Sequence, residues 1–515
     1  MGLIEDILYW NSVVNDIVWG LPIIIMLVGT GIVVAISTGF IQIRKFDIAL
    51  KTMKWKGEAA GEVSPYKLWC AVMGATVGVG NIAGVSTAIA LGGPGALFWM
   101  WVCGILGMGL KGAEVTLSLW SRRTMPDGRL RGGTMYYIER IPTIGPPLAI
   151  LFSLFGFLCA FGIGNMVQAN SVGHGAEFIA NTFGVTDPTA IFYVRLFTGI
   201  IMVLFTALVI IGGLKRIADA AFYLIPLMVG WYLIFGLIGW ILSGGFLKAI
   251  QLIFTHAFTP IAAVGGFGGA TVFAAIRYGF ARGLFSNEAG LGSAPLAYAF
   301  AKSDHPGRQG FYGIFEVFMD TLVVCTITGI MVVATGAYET GKTGAYLAMV
   351  AFSKVYGPWA GVVVGFALAL FAYTTLLTWS FYGETTFIYF ISEKVKILKA
   401  KVASWIYRIL WLPPIIAASV AAPYLVAIWD LADTLNGLMA IPNLVAVVYF
   451  LPLALRLMKD FYSRHLVLGT PMADGGSPNH IGWRGYHSII ALVRALKDLI
   501  APKSDLIERV KKDLQ

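Results

Sequence analysis

The strongest constraint on this chain is a series of long apolar segments that recurs along most of its 515 residues. A helix needs roughly 20 apolar residues to cross a hydrocarbon core of about 30 Å. Inside lipid, each backbone polar group must hydrogen-bond within the protein, and an apolar helix meets this requirement alone. Since 58% of the residues are hydrophobic and only 12% are charged, the sequence predicts an all-α polytopic membrane protein.

Apolar runs between polar breaks predict eleven membrane crossings. The predicted spans are residues 18–40, 66–92, 96–121, 146–180, 190–213, 217–242, 262–300, 311–335, 357–391, 404–428 and 432–455. Lysines and arginines concentrate in every second loop, with Arg44 and Lys45 in the first of these loops and Lys394 and Lys396 in the last. The expected location is the cell membrane. By the positive-inside rule, the N-terminus is expected on its outer side and the C-terminus in the cytoplasm.

The net charge of +10 is explained by these loops and the basic tail, so no nucleic-acid partner is expected. The lipid bilayer is the expected environment, and the sequence indicates no oligomeric state. The tail is predicted to be partly amphipathic.

Glycine clusters mark two places where a membrane helix can unwind. The second span contains MGATVGVGNIAGVS at 73–86, with one amide, Asn81, inside the apolar run, and the seventh opens with GGFGGAT at 265–271. Because the two spans are five crossings apart, the chain enters them from opposite sides, as in an inverted repeat. Close helix packing through small residues is the alternative explanation.

Eleven spans then divide into one peripheral helix and two five-helix halves. The predicted domains are residues 1–60 (peripheral helix and loop), 61–245 (first repeat), 246–456 (second repeat) and 457–515 (cytoplasmic tail).

Three motifs resemble signatures of the alanine or glycine:cation symporter family. They are GVGNIAGVS at 78–86, GGPGALFWMWVCGILGM at 92–108 and SNEAGLGSAP at 286–295. The resemblance implies a LeuT-type five-plus-five fold and sodium-driven uptake of alanine or glycine, with Na⁺ as the co-transported ion.

A zwitterion at membrane depth needs partners for both of its charges. We expect backbone N–H groups at the first glycine cluster to bind the carboxylate, and carbonyls at 265–271 to meet the ammonium. Gln168 is the expected contact from the fourth span, although polar bonding between helices explains it nearly as well. Phe161, Phe267 and Trp379 are placed to close the pocket, or to pack in the core. The predicted substrate-binding residues are Thr76, Gly78, Val79, Gly80, Asn81, Gln168, Phe267, Gly268, Gly269, Thr271 and Trp379.

Sodium prefers hard oxygen ligands. The carbonyls of Gly74 and Val77 suit it, and resemblance to the LeuT-type cation site adds the hydroxyls of Thr374 and Thr375. Hydroxyls bonded to their own helix are the alternative.

Charged residues within the predicted spans indicate structural pairs. Lys111 and Glu114 have the spacing of an ion pair on one helix face. Asn287 and Glu288, with Arg277 or Arg282 as a partner, are interpreted as an inner gate or a fold-stabilising turn.

Three rival functions lack sequence support. No titratable group sits beside the glycine clusters, as a proton-coupled transporter requires, and the mid-depth polar residues form no continuous channel path. No nucleophile or metal-ligand motif indicates an enzyme.

Overall fold

A computed structural model of the chain describes residues 3–18, 21–55, 59–125, 130–262, 265, 267–421 and 425–465. Nearly all regular structure in this part of the chain is helical, and one antiparallel strand pair joins β1 (Arg123–Thr124) to β2 (Leu130–Arg131). The predicted all-α class is therefore confirmed. Of the predicted tail, the structure describes residues up to 465, so its amphipathic part lies outside the described residues.

The helices follow one another with short connections. In chain order they are α1 (Leu3–Val18), α2 (Leu21–Ser37), α3 (Ile41–Arg44), α4 (Phe46–Met53), α5 (Pro65–Thr76), α6 (Ala83–Gly92), α7 (Gly95–Ser121), α8 (Thr134–Ile138), α9 (Gly145–Cys159), α10 (Val167–Thr182), α11 (Pro188–Ile210), α12 (Gly213–Ser243), α13 (Phe246–His256), α14 (Val272–Asn287), α15 (Pro295–Tyr298), α16 (Pro306–Val317), α17 (Thr326–Ala334), α18 (Gly344–Tyr356), α19 (Trp359–Ile388), α20 (Ala400–Leu410), α21 (Pro413–Val420) and α22 (Leu425–Asp460). Wider π-helical turns join α9 to α10 (Ala160–Met166) and α16 to α17 (Phe318–Cys325).

Nine of the described helical runs are long and apolar enough to cross a membrane, and the bent pair Pro65–Thr76 and Val79–Gly92 makes a tenth. The predicted span 262–300 corresponds to α14 and α15. With 16 residues, α14 is about 24 Å long and ends before it could cross the bilayer alone. The expected eleven crossings are reached when α14 and α15 are counted as a second broken span.

The second span is broken where its glycines predict. Its α5 ends at Thr76, a 3₁₀ turn occupies Val79–Asn81, and α6 continues at an angle of 57°. A Cβ atom on Gly78 would lie 2.3 Å from the Thr375 hydroxyl of α19. Only glycine permits this approach, and residues 77–82 are called the first break below.

The seventh span is also broken, but not where the sequence analysis placed it. Its α14 ends at Asn287, and Glu288, Gly290 and Gly292 have φ angles of 56°, 88° and 75° before α15 begins. Residues 288–294 therefore form the second break. The two glycines supply left-handed conformations that other residues adopt only under strain.

The prediction of a break at 265–271 is wrong. This segment precedes α14: Ile261 and Ala270 exchange backbone hydrogen bonds of 3.0 and 2.9 Å, and Thr271 caps α14 by accepting from the N–H of Ala274. The described glycines of this segment, Gly265, Gly268 and Gly269, lie in the connection that precedes α14 and do not interrupt a helix.

The periphery of the bundle is apolar. Helix α1 packs on α22, and α2 packs on α7 and α22. Large side chains of α11 and α12 point outward and are more than half exposed, namely Phe197, Ile201, Leu204, Phe205, Leu208, Tyr223, Leu227 and Ile234. Such surfaces suit lipid and leave the polar groups inside.

Candidate functional site

A small pocket lies between the first break, the π-helical turn after α9, and α19. The empty space among its lining atoms is about 230 Å³, including space that is open to the surroundings. The lining residues are Ala75, Thr76, Gly78, Gly80, Ile163, Gln168, Phe285, Glu288, Thr375 and Trp379. The structure thus brings together five of the predicted substrate residues, Thr76, Gly78, Gly80, Gln168 and Trp379, with Thr375 of the predicted sodium set.

The first break directs backbone N–H groups toward side-chain amide oxygens. The N–H of Gly78 donates to Asn81 Oδ1 at 2.9 Å, and the N–H of Val79 donates to Gln168 Oε1 at 3.2 Å. Both acceptors are fully or almost fully buried. Two adjacent donors therefore meet oxygens carried on rotatable side chains, which a stronger acceptor can replace.

The carbonyl side of the first break faces α19. Thr375 Oγ1 lies 3.0 Å from the carbonyl oxygen of Gly74 and 3.1 Å from that of Phe371. Thr374 Oγ1 lies 3.0 Å from the same Phe371 carbonyl, so it bonds to its own helix, as the alternative interpretation stated. Val77 leaves the helical conformation, with φ −77° and ψ 85°. Several neutral oxygens therefore converge beside the first break.

The second break contributes a carboxylate, Glu288, that the sequence analysis did not assign to the pocket. Its Oε1 accepts from Trp379 Nε1 at 2.7 Å, and its Oε2 accepts from Ser293 Oγ at 2.5 Å. No arginine contacts it in the described part of the chain. The polar run of Ser286, Asn287 and Glu288 interrupts the predicted 39-residue apolar span. This run is the sequence signal that could have indicated a carboxylate at the pocket.

Four predicted substrate residues lie far from the pocket. Ser286, at the end of α14, touches the first break, since a Cβ on Gly80 would lie 3.0 Å from the Ser286 Cα. Thr271 is fifteen residues earlier on that helix, which places it about 22 Å away. Phe267 instead packs edge-on against Tyr338. Phe267, Gly268, Gly269 and Thr271 are therefore corrected from substrate residues to residues of the α14 entrance.

Phe161 also lies elsewhere. It packs against Tyr407 and Trp411, whereas Ile163 lines the pocket. The π-helical turn changes which side chains of this segment face inward, because it adds a residue to the helical repeat.

The buried charges pair differently from the prediction. Lys111 lies 3.2 Å from Glu316 and both side chains are fully buried, whereas Glu114 is bonded by Asn443. Tyr298 donates a second bond to Glu316 at 2.8 Å. The expected pair of Lys111 with Glu114 is wrong because the partner comes from the facing helix α16.

Arg282 lies beside Phe285, a lining residue of the pocket, with its guanidinium 5.6 Å from the centre of that ring. It forms two bonds to Asp433 of α22, at 2.6 and 3.4 Å, and lies 5.1 Å from the centre of the Trp429 ring. Trp429 stacks on Phe285, which lines the pocket. Arg277 lies 3.6 Å from Asp16. Neither arginine pairs with Glu288, so the expected inner-gate pairing is wrong.

Comparisons with known proteins agree with this architecture. Over 86% of this chain and 99% of the other, the fold matches the crystal structure of MhsT in complex with L-phenylalanine, with a TM-score of 0.53 and 15% identity. This likeness confirms the LeuT-type fold.

Two relatives found by sequence have higher identity to this chain than MhsT has. A sodium/alanine symporter, AgcS of Methanococcus maripaludis, is 42% identical over 448 residues, covering 85% of this chain and 93% of the relative. A probable sodium/glutamine symporter, GlnT of Bacillus subtilis, is 35% identical and covers 87% and 91%.

The sequence profile of the sodium:alanine symporter family matches residues 4–471, which includes both broken spans and every residue of the pocket. The chain therefore belongs to the sodium:alanine symporter family, whose members are secondary transporters and not enzymes.

Proposed function

We propose that this protein carries a small neutral amino acid, alanine or glycine, into the cell together with Na⁺, and that both bind at the first break. The observation that carries this proposal is the pair of adjacent N–H groups on Gly78 and Val79, which donate to the replaceable oxygens of Asn81 and Gln168 at a pocket that Gly78 and Gln168 line.

A substrate carboxylate takes the place of these two amide oxygens. Bonds from N–H to a carboxylate are about twice as strong as bonds to a neutral amide. The N-terminus of α6 lies directly after the first break, and its dipole adds to the attraction for an anion. Thr76, Gly80 and Asn81 complete the carboxylate side.

The substrate ammonium meets Glu288, which replaces the 265–271 carbonyls of the sequence analysis. Glu288 lines the same pocket as Gly78. A buried carboxylate costs several kcal/mol when it is left without a cation, and an ammonium group offsets that cost.

Substrate size is limited by Trp379, Phe285 and Ile163, which line the pocket. The Trp379 side chain is held at its Cβ atom and at its indole nitrogen. A Cβ on Gly164 would lie 2.2 Å from its Cβ atom, and its indole N–H is held by Glu288. A rigid wall around a small volume favours alanine or glycine over glutamine.

Sodium binds at the oxygens that converge between the first break and α19. The proposed ligands are the carbonyls of Gly74 and Val77 and the hydroxyls of Thr374 and Thr375. The Phe371 carbonyl joins them, since both hydroxyls lie close to it.

Alternating access then moves the two five-helix halves, 61–245 and 246–456, around the site. The concentration of lysine and arginine in alternate loops supports an N-terminus outside and a C-terminus in the cytoplasm. At the cytoplasmic end, the chain entering α5 pairs with the chain leaving α15, since Lys302 N–H donates to the Val63 carbonyl at 2.8 Å. This contact connects the two broken spans and has to open for substrate release.

Purified protein in liposomes tests the proposal. An inward sodium gradient should drive uptake of labelled alanine without a proton gradient, and glycine should compete, whereas glutamine should not. Uptake that is insensitive to sodium would contradict the coupling. Competition by glutamine as strong as that by glycine would contradict the substrate class.

A further inference from the structure

We propose that an anionic phospholipid binds in a basic pocket between the α19–α20 connection and the strand pair β1–β2. The lining residues that matter for this proposal are Arg131, Ser392, Glu393, Lys396, Ile397 and Lys399. The empty space among the lining atoms is about 1060 Å³, including space that is open to the surroundings. The inference goes beyond the proposed function, because it concerns a ligand that is not transported.

The pocket lies where the chain leaves the membrane and enters it again. The apolar span Trp359–Lys394 ends beside it, and the next span, Ala400–Val420, begins beside it. Only residues 395–399 separate the two spans. A ligand in this pocket is therefore at the level of the lipid headgroups, on the side that the proposed topology assigns to the cytoplasm.

The carboxylates of this region already have partners. Glu393 accepts from the Tyr136 hydroxyl at 2.8 Å and lies 3.5 Å from Arg131. Glu139, close to the same loop, is paired with Lys394. Neither carboxylate is therefore available to neutralise further lysines.

Three lysines of this loop have no anionic partner among the described residues. Lys396 and Lys399 line the pocket, and Lys401 follows in the first turn of α20. All three are exposed, and the ion pairs of the described part of the chain include none of them. Because Lys399 is also the N-cap of α20, its charge is repelled by the positive end of the helix dipole. An anion between these lysines offsets both kinds of repulsion.

A buried hydroxyl in the pocket also lacks a partner. The Ser392 oxygen is buried and forms no hydrogen bond with the described part of the chain, although Ser392 lines the pocket. A buried hydroxyl without a partner destabilises the protein, and a phosphate oxygen is an acceptor for its proton. The pocket therefore offers a neutral donor in addition to its positive charge.

Exposed apolar side chains continue from the lysines along α20, and they favour a phospholipid over a free anion. Ile397 of the pocket is 69% exposed. Val402, Trp405 and Ile409 are exposed as well, and their spacing of three and four residues places them on one face of α20. A phospholipid with its phosphate at the lysines lays its acyl chains along this face, whereas a free phosphate makes no use of it.

Binding of phosphatidylglycerol to the purified full-length protein in neutral detergent tests the site. Mass spectrometry of the intact complex counts the bound lipid as its concentration rises. In Lys396→Gln/Lys399→Gln the half-saturating concentration should rise about thirtyfold, since each lysine near a charged headgroup contributes about fivefold. Lys54→Gln/Lys215→Gln is the matched control and should bind as the wild type does. Both control lysines are exposed, lie in loops expected on the same side of the membrane, and are outside the pocket.

Two competing ligands test what the pocket recognises. Inorganic phosphate should displace phosphatidylglycerol only at much higher concentrations, because it has no acyl chains. Displacement by phosphate at equal concentration would assign the pocket to a free anion and overturn the inference. Phosphatidylcholine should bind at least tenfold more weakly, since its headgroup has no net charge, and equal binding would overturn the inference as well.

A variant without a charge change gives a second measurement. Ser392→Ala should raise the half-saturating concentration of phosphatidylglycerol about tenfold, because a hydrogen bond to a charged group is lost. Unchanged binding in the double lysine variant would overturn the inference. Equal weakening in the Lys54→Gln/Lys215→Gln control would do so too, since the general surface charge would then attract the lipid. Failure of the proposed function would leave these results unchanged, because the measurement contains neither amino acid nor a sodium gradient.

Discussion

The two helix breaks differ in how their freed backbone groups are satisfied and in their charge. At the first break, neutral amides and hydroxyls hold the backbone, for example Asn81 Oδ1 on the Gly78 N–H and the Thr328 hydroxyl on the Asn81 carbonyl. At the second break, the Gly290 carbonyl accepts from Asn443, and the break itself carries Glu288.

The surroundings of the second break are charged as well. Asn443 also bonds Glu114 of α7, and the buried pair of Lys111 and Glu316 begins three residues earlier on the same helix. A backbone group that is held by a neutral amide oxygen can exchange its partner at low cost, because the amide carries no charge. A charged break must keep its partners or receive a cation. We therefore assign the substrate carboxylate to the first break and the substrate ammonium to the second.

The largest expected effect tests the charge balance around the second break. Lys111→Met leaves Glu316 buried without a cation and should reduce the free energy of unfolding by about 3–5 kcal/mol. Thermal unfolding of the purified protein measures this loss. The double variant Lys111→Met/Glu316→Gln should recover part of it, and Lys51→Met, which breaks an exposed pair with Asp47, should cost under about 0.5 kcal/mol. A single variant as stable as the wild type would show that the second break does not depend on this pair.

A methyl group tests the close packing of the first break. In Gly78→Ala the new Cβ would meet the Thr375 hydroxyl and displace the carboxylate-binding N–H groups, so alanine uptake should fall about a hundredfold. Gly84→Ala on the following helix is the matched control, because nothing lies within 4 Å of its Cβ. Equal uptake by the two variants would remove the first break from the site.

Removing one charge tests the difference between the breaks directly. Glu288→Gln keeps the size of the side chain and should raise the KM for alanine about tenfold or more, since a hydrogen bond to a charged group is lost. Asp187→Asn, at an exposed cap of α11, serves as control. An unchanged KM would mean that the ammonium binds elsewhere.

The smallest expected effect separates two adjacent hydroxyls. Thr375→Val removes the hydroxyl that reaches the Gly74 carbonyl and should raise the sodium concentration for half-maximal uptake about tenfold. Thr374→Val should have a smaller effect, because its hydroxyl is bonded to its own helix. Thr386→Val, whose hydroxyl also bonds only within α19, should leave uptake unchanged. A larger effect of Thr374→Val than of Thr375→Val would mean that the ion lies on the Thr374 side of α19.

The first break and most of the residues that we propose for the carboxylate side could be located from the sequence, because their signal is local. A lone amide among glycines in an apolar run predicts both the unwound helix and the groups that it frees. Thr76, Gly78 and Gly80 therefore line the pocket as expected. Gln168 of the fourth span also lines this pocket, because that span faces the first break.

The ammonium side could not be predicted in the same way. The predicted span 262–300 contains two glycine-rich stretches, and either could be the position of the break. Glycine content alone does not distinguish a helix entrance from a helix break. The structure distinguishes them because α14 begins at Val272 and ends at Asn287. The partners of Lys111 and Arg282 could not be predicted from the sequence either, because each partner lies on a helix that is distant along the chain.

By itself, the sequence determined the membrane class, the family motifs and the location of the first break, because hydropathy and glycine clusters act on neighbouring residues along the chain. Only the tertiary structure decided that the seventh span breaks after Asn287, how the buried charges pair, and that Glu288 lines the same pocket as Gly78. Long-range packing fixes these contacts, since a buried charge is stabilised only by groups that the fold brings to it.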